Sequence, residues 1–383
     1  MAEVGAARSP MTTAALLEAA TRSTGLHDIG GERARNRFER LVAFADMTPG
    51  DATERAASFD RLLRILIGRL RFVADRANHP GIVDEQIERP VIVMGLGRSG
   101  TTLLQALLAR DHSARAPRYW EMMFPSPPPG LAEPDDPRVA AADKMVADTI
   151  ALYPDLLAAH PYLDEGGMSL IECENLWESS PAFVQGFLET SAEERYAFHR
   201  EFLQHLQYGA PARRWVLKGL EHQWHLSLLR STYPDGLFVW IHRDPSRAYA
   251  SMIEYLSVAP RRGVSAEMDQ ATLARRYLES LRKRLLRALA DPEISGDGIC
   301  HVLYRDLTAS PVAEVRRIYD HFGMDASPGF DDELRSWLAD PSNRSDRHGR
   351  FRYGGAPVGV ERDEIDAAFA EYRERFRIPD EPE

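Results

Sequence analysis

The segment VIVMGLGRSGTTLLQALL, residues 91–108, constrains the fold more than any other part of the chain. It begins as a short apolar run typical of a buried strand and ends in a helical pattern. Between these parts, Gly95 and Gly100 have the spacing of the phosphate-binding loop G-x-x-x-x-G-K-[ST], with Thr101 in the lysine position. The backbone N–H groups of such a loop bind anions. The sequence predicts an anion site without the usual lysine, the alternative being a purely structural turn.

Side chains in this loop add further hydrogen-bond donors. Arg98 supplies a charged fork that suits phosphate or sulfate oxygens. Hydroxyl groups come from Ser99, Thr101 and Thr102, which flank Gly100. A nucleotide triphosphatase or kinase would also need an acidic residue at a strand end to hold Mg²⁺. No strand that follows the loop ends in aspartate, so the sequence predicts no metal site.

A second candidate anion site lies in FVWIHRDPSRAYASM, residues 238–252. Arg243 follows a strand end, where ligands bind in open α/β sheets, and Ser251 comes eight residues later on a predicted helix. Together they suit a second phosphate of the same nucleotide. The alternative is structural, with Asp244 and Ser246 capping the helix and Arg243 pairing with a surface acid.

Short apolar runs alternate with helical patterns through most of the chain, which predicts a parallel sheet with helices on both faces. The expected fold is therefore α/β, a P-loop-type three-layer fold with a central parallel sheet, helical insertions and a helical N-terminal subdomain. The pattern changes at Glu88–Arg89–Pro90, which divides the chain into a helical subdomain, 1–88, and an α/β domain, 89–383. The predicted strands are 91–95, 214–219, 237–242 and 300–304.

Composition excludes several classes of protein. A net charge of −11 argues against general nucleic-acid binding, and two cysteines cannot form a disulfide framework. The first residues lack the basic start and apolar core of a secretory signal. Arginines interrupt the most apolar later stretch, 61–73, so we expect no stable membrane insertion. These observations favour a cytoplasmic protein.

Taken with their order and spacing, these motifs resemble those of sulfotransferases that use 3′-phosphoadenosine-5′-phosphosulfate (PAPS). GLGRSGTTLLQALL resembles their 5′-phosphosulfate loop and HRDPSRAYASM resembles their 3′-phosphate motif. WVLKGLEHQWHLSLLRSTYP, residues 215–234, is similar to the lysine-containing segment between the two. The resemblance covers residues 91–377 and is greatest to a larger bacterial branch with a helical N-terminal extension. One departure is that Lys218-Gly219-Leu220 stands where many relatives have Lys-Ser-Pro or Lys-Asp-Pro.

The resemblance implies roles for particular residues. PAPS would be the co-substrate and no metal would be required. Lys218 would lie near the leaving oxygen, Tyr304 would stack near the adenine, and a basic loop would close over the nucleotide. The implied nucleotide-binding residues are Arg98, Ser99, Gly100, Thr101, Thr102, Arg243, Ser251, Tyr304, Arg347, Gly349 and Arg350.

Transfer to a hydroxyl group also needs a base. Glu121 is the first candidate, because similar sulfotransferases place a catalytic glutamate after the loop helix; a salt-bridged glutamate is the alternative. His160 is the second candidate, with a structural histidine as its alternative. The acceptor, a small molecule or a lipid, stays open, and so does oligomeric state, for which a homodimer is one option. Candidate lining residues of an acceptor pocket are Trp120, Phe124, Trp177, Phe183 and Phe187.

The main hypothesis is thus a sulfotransferase that acts on a hydroxyl acceptor. Two other functions fit the loop. An atypical kinase or nucleotidase would depend on Mg²⁺ and turn over ATP. A non-catalytic nucleotide-binding module would bind the nucleotide without transferring any group.

Overall fold

A computed structural model describes residues 11–48, 51–160, 191–258, 268–349, 351–352 and 359–381. Its centre is a five-stranded sheet in which every pair is parallel, in the order β2-β3-β1-β4-β5. The strands are β1 Val91–Gly95, β2 Ala114–Arg115, β3 Arg214–Gly219, β4 Leu237–His242 and β5 Ile299–Leu303. The predicted α/β fold with a central parallel sheet is confirmed, although the two-residue edge strand β2 was not predicted.

Helices cover the sheet and form the N-terminal region. In chain order they are α1 Thr13–Thr24, α2 Glu32–Met47, α3 Ala52–Asn78, α4 Thr101–Leu108, α5 Tyr119–Met123, α6 Pro137–Leu152, α7 Asp155–Ala159, α8 Ala192–Gln207, α9 Leu226–Thr232, α10 Pro245–Val258, α11 Gln270–Leu289, α12 Tyr304–Ala309, α13 Pro311–His321, α14 Phe330–Ala339 and α15 Arg362–Arg375. Short 3₁₀ turns occur at Pro80–Asp84, Pro129–Leu131, His222–Trp224, Pro292–Ser295 and Pro341–Asn343.

The central strands are buried on both faces, and their alternating side chains enter two different apolar layers. In β1, Ile92 and Met94 pack into one layer, which includes residues of α8 to α11 and α15. Val91 and Val93 pack into the other layer, with residues of α4, α13 and α14. This period of two explains why β1 appears in the sequence as an uninterrupted apolar run.

The first three helices pack around an apolar cluster of their own, built on residues such as Leu16, Phe38 and Leu66. This cluster is continuous with the main core, because Phe198 of α8 packs against both and Phe72 of α3 belongs to the sheet's layer. The division at residues 88 and 89 stays a prediction. Among the described helices, none is long and apolar enough to cross a membrane.

Strand order determines where a ligand site can form. From β1 the chain passes to the edge strand β2, returns to β3 beside β1, and then crosses β1 to reach β4 on the other side. In open α/β sheets, such a switch point leaves a crevice at the carboxyl ends of the strands. The β1–β3 ladder ends at Met94 opposite Gly219, and the β1–β4 ladder ends at Gly95 opposite Ile241. The two predicted anion motifs therefore meet at the carboxyl ends of the central strands.

Candidate active site

The loop after β1 turns directly into α4 through Gly100, whose φ is +85°. A side chain at this position would be strained, and its Cβ would lie 2.9 Å from Cδ2 of Tyr304. Ser99 is fully buried and its hydroxyl donates to the carbonyl of Leu96. Glycine is therefore required at position 100 both for the turn and for the close approach of the Tyr304 ring.

Arg98 connects this loop to three other parts of the chain. Its Nε donates to Oγ of Ser251 at 3.1 Å, and its Nη1 donates to the carbonyl oxygen of Ala159 at 2.6 Å. The guanidinium carbon lies 5.7 Å from the ring centroid of Tyr255 and 5.3 Å from that of Phe351. Arg98 has a φ of +71°, a left-handed conformation that costs a non-glycine residue roughly 1–2 kcal/mol.

Arg243 lies beside the same loop and is only 8% exposed. Its Nη1 donates to the carbonyl oxygen of Arg98 at 2.6 Å, and its guanidinium carbon lies 4.4 Å from the ring centroid of Tyr304. Its Nε and Nη2 donate to the carboxylate of Glu381 at distances of 2.9 to 3.0 Å. The two predicted anion motifs are thus in direct contact through Arg98, Arg243 and Ser251.

The helix capping that the sequence offered as the alternative role of the second motif is also observed. Asp244 is buried, and its carboxylate accepts from the backbone N–H of Ser246 at the start of α10. It also pairs with Arg373 at 2.6 Å and accepts from the backbone N–H of Glu381 at 3.0 Å. The C-terminal segment is therefore attached at the loop that carries Arg243.

Lys218, near the end of β3, brings a third cation to the loop. Its side chain is 4% exposed, and Nζ donates to Oγ1 of Thr102 at 3.0 Å. Because β3 and β1 are neighbours in the sheet, Lys218 approaches the first turn of α4 from the opposite side to Arg243. The neighbouring Thr101 is buried.

His160 follows α7 and lies in the field of the same cations. Burial, followed by the charges of Lys218 and Arg98, lowers the pKa of His160 to about 3. The imidazole is therefore neutral at neutral pH. Within the described parts of the chain, its Nδ1 is buried and has no hydrogen-bond partner. A neutral ring beside an anion loop has the lone pair that a proton acceptor needs.

Glu121 has a different environment, since both of its carboxylate oxygens have protein partners. Oε1 pairs with Nη2 of Arg115 at 2.7 Å, and Oε2 accepts from the backbone N–H of Arg118 at 2.8 Å, at the start of α5. This is the salt-bridged arrangement that the sequence left open as an alternative. The role of Glu121 as base stays a prediction.

The basic loop is described only in part. Arg347 donates to the carbonyl of Arg344, and Gly349 has a φ of +99°. Arg350 lies outside the described residues, as do Trp177, Phe183 and Phe187. Phe351 brings the end of this loop against Arg98. The remaining two aromatic candidates adjoin Arg138, whose guanidinium lies over Trp120 and donates to the carbonyl of Phe124.

Several contacts at this site have no local signal in the sequence. Glu381 is 138 residues from Arg243, and Phe351 and Tyr255 reach Arg98 from distant segments. The only available signal was the basic, glycine-rich loop itself, which indicated a segment near the nucleotide without specifying Phe351. Ala159 contributes only its carbonyl oxygen, which no sequence pattern reports.

Residues 90–328, more than half of the chain, match the Sulfotransferase family, and this range includes the loop, Lys218, Arg243 and Ser251. The chain belongs to the sulfotransferase family. The predictions of the family and of a transferase enzyme are confirmed.

This sulfotransferase is similar to omega-hydroxy-beta-dihydromenaquinone-9 sulfotransferase Stf3 of Mycobacterium tuberculosis and Mycobacterium bovis. Identity is 25% over 280 residues, which cover 66% of the chain and 67% of Stf3. Its fold is similar to that of sulfotransferase STF9 from Mycobacterium avium, with a TM-score of 0.78, 24% identity, and coverage of 97% of this chain and 98% of STF9. Sulfotransferase STF1 from Mycobacterium tuberculosis is also similar, with a TM-score of 0.75, 24% identity, and coverage of 95% of this chain and all of STF1.

Proposed function

We propose that this sulfotransferase transfers a sulfuryl group from PAPS to a hydroxyl group of a small-molecule or lipid acceptor. The observation that carries the proposal is the convergence of Arg98, Lys218 and Arg243 on one glycine-containing loop. Three cations with loop N–H groups at a helix N-terminus suit a ligand with several anionic groups.

The donor set fits PAPS at two places. The loop N–H groups and the hydroxyls of Thr101 and Thr102 suit the 5′-phosphosulfate. Arg243 and Ser251 suit the 3′-phosphate, and Arg98 lies between the two positions because it contacts both residues. When bound, PAPS supplies the sulfuryl group and an adenosine bisphosphate leaving group. The part of Lys218 is then to stabilise negative charge that grows on the leaving oxygen.

For the proton of the acceptor hydroxyl, we favour His160 over Glu121. His160 is a neutral imidazole with an unpaired nitrogen within the described chain, whereas both oxygens of Glu121 already accept hydrogen bonds. A pKa of about 3 is low for a base; burial is the largest cause, and the charges of Lys218 and Arg98 are the next two. An anion bound between these cations opposes their effect, and therefore raises the pKa of His160 toward the range that suits proton transfer.

The name of Stf3 describes an acceptor that is a hydroxylated menaquinone derivative. This supports a hydroxyl-bearing apolar molecule as the acceptor class for this chain. The N-terminal subdomain of residues 1–88, the cytoplasmic location and the homodimer stay predictions. Support for the first of these is that α1 to α3 pack around an apolar cluster of their own, although Phe198 joins this cluster to the main core.

Calorimetry with adenosine 3′,5′-bisphosphate (PAP) tests the proposed donor site. Wild type should bind PAP, and Arg243→Ala should bind at least tenfold more weakly, because a charge-assisted hydrogen bond is worth about 1.5–3 kcal/mol. Arg282→Ala is the matched control, since Arg282 is an exposed cation of α11 that makes no ion pair with a described acid. No PAP binding by wild type, or equal binding by Arg243→Ala, would contradict the proposal.

Metal dependence distinguishes this function from the kinase alternative. β4 ends at His242 and is followed by Arg243, so basic side chains stand where a phosphoryl-transfer site places a Mg²⁺-binding acid. We expect sulfuryl transfer to continue in excess EDTA. Transfer that requires Mg²⁺, together with ATP turnover, would favour the kinase or nucleotidase.

A further inference from the structure

Gln223 is a fully buried amide in the 3₁₀ turn His222–Trp224, shortly after residues 218–220, which we call the Lys218 segment. Its Nε2 donates to the carbonyl oxygen of Gly95 at 3.0 Å and to that of Leu220 at 2.8 Å. Gly95 is the first residue of the phosphate-binding loop, and Leu220 lies two residues after Lys218. One side chain thus joins two loops that carry candidate anion-binding residues.

These two hydrogen bonds, which we call the Gln223 tie, lie just beyond the end of the β1–β3 ladder. Backbone pairing between β1 and β3 ends at Met94 opposite Gly219; beyond that pair β3 turns into its loop, and β1 continues for one residue, Gly95, that pairs only with β4. Gln223 contacts the next residue on both sides, Gly95 and Leu220. It therefore extends the alignment of the two strands by one step past the last ladder pair, where backbone hydrogen bonds have stopped.

A second observation is that Oε1 of Gln223 is buried and has no hydrogen-bond partner within the described residues. A buried polar atom without a partner costs about 1–3 kcal/mol, which an apolar side chain of the same size would avoid. The side chain bears this cost while its amide nitrogen binds the carbonyl oxygens of both loops.

The residue two positions after Lys218 is Leu220, whose backbone φ is not fixed by a ring as that of a proline would be. The distance of 3.0 Å between Lys218 Nζ and Thr102 Oγ1 depends on how the Lys218 segment sits against α4.

We propose that Gln223 is a positioning residue that holds the phosphate-binding loop and the Lys218 segment in register. The inference rests on the proposed nucleotide site and adds a residue that touches neither nucleotide nor acceptor. Misplacement of reacting groups by about 1 Å can cost 10²-fold in rate, so loss of this tie acts on catalysis more than on folding.

Gln223→Met removes both donors at nearly constant volume and tests the proposal. Gln105→Met is the matched control, because Gln105 is equally buried and its Nε2 donates to the carbonyl of Val216 at 3.1 Å, in the interior of β3. We expect both variants to fold with thermal stability close to that of wild type, since each loses hydrogen bonds to buried carbonyls and also the desolvation cost of a buried amide. Only Gln223→Met should bind PAP about tenfold more weakly and show a kcat for PAPS hydrolysis, with water as the acceptor, reduced by tenfold or more per folded enzyme.

If Gln223→Met matches wild type in PAP affinity and kcat, or if Gln105→Met loses both to the same extent, the positioning role is wrong. Should Gln223→Met fail to fold, Gln223→Asn provides the same comparison, because its shorter amide cannot reach both carbonyls. Wild-type PAP binding is measured first. If wild type does not bind PAP, the proposed donor site is wrong. If wild type binds PAP and the Gln223 variants match it in PAP affinity and kcat, only this inference is wrong.

Discussion

Arg243 donates hydrogen bonds to both carboxylate oxygens of Glu381, 138 residues further along the chain. The pair is largely buried, with side-chain exposures of 8% and 20%. A carboxylate and a phosphate present similar oxygen pairs to a guanidinium fork. Glu381 therefore holds part of the donor set that we assign to the 3′-phosphate.

Glu381→Gln should tighten PAP binding several-fold at low ionic strength, because it removes a negative charge from beside an anion site. Asp380→Asn is the control, since it makes the same change in net charge at the neighbouring residue, which pairs with Arg373 rather than Arg243. Calorimetry at two salt concentrations measures the difference. Weaker binding by Glu381→Gln would instead mean that the carboxylate orients Arg243 for the nucleotide.

Lys218→Met should lower kcat by about 10²–10³-fold, the range observed when a donor to developing oxyanion charge is removed. The fold should persist, because replacing a buried cation with an apolar side chain removes its desolvation cost. Steady-state kinetics and thermal unfolding provide the two readouts. Lys283→Met, on the exposed face of α11, should leave kcat unchanged. A Lys218→Met enzyme with near-normal kcat would exclude the role at the leaving oxygen.

The imidazole of His160 should titrate differently with and without nucleotide. Its pKa is about 3 in the free protein, where burial, Lys218 and Arg98 all disfavour the charged form. PAP places negative charge near those cations, so the pKa should rise, as measured by NMR titration of labelled histidine. The resonance of His205, which contacts the carbonyl of Pro125, is an internal control. If the pKa of His160 is the same with and without PAP, His160 does not lie close enough to the bound anion to act as the base.

Acid should destabilise the protein through its buried histidines. Burial lowers the pKa of His199 to about 3 and that of His205 to about 4. An unfolded histidine has a pKa of about 6.5, so between pH 6.5 and these values the unfolded chain binds protons that the folded chain does not. Stability is therefore greatest above pH 6.5 and falls with decreasing pH, by up to about 1.4 kcal/mol per pH unit for each such histidine.

Urea unfolding at pH 7 and pH 5 should reveal this slope, and His199→Gln should reduce it. His112→Asn, at an exposed position, should retain the wild-type slope. Equal slopes for all three proteins would mean that other groups determine the acid response.

The sequence was sufficient to predict those elements whose conformation depends on residues close together in the chain. An apolar run followed by glycines defines β1 and its loop because each residue's conformation depends on its near neighbours. The edge strand β2 has two residues, Ala114 and Arg115, and pairs only through its position beside β3, so it leaves no pattern. The tie made by Gln223 is likewise absent from the local pattern, since a buried glutamine resembles any polar residue of a turn.

Glu121 illustrates a different limit. A glutamate three residues after an N-cap position fits a helix-capping role, and Glu121 also fits a base that follows the loop helix. The ion pair with Arg115, which distinguishes these environments in the folded chain, depends on how β2 and α5 meet. That relation is tertiary, and no spacing in the sequence specifies it.

The left-handed backbone at Arg98 has a consequence for laboratory evolution. Glycine adopts this conformation without strain, so Arg98→Gly relaxes the turn but also removes the guanidinium and its hydrogen bonds to Ser251 and Ala159. A library screened for product formation should therefore retain arginine at position 98 in spite of its backbone cost.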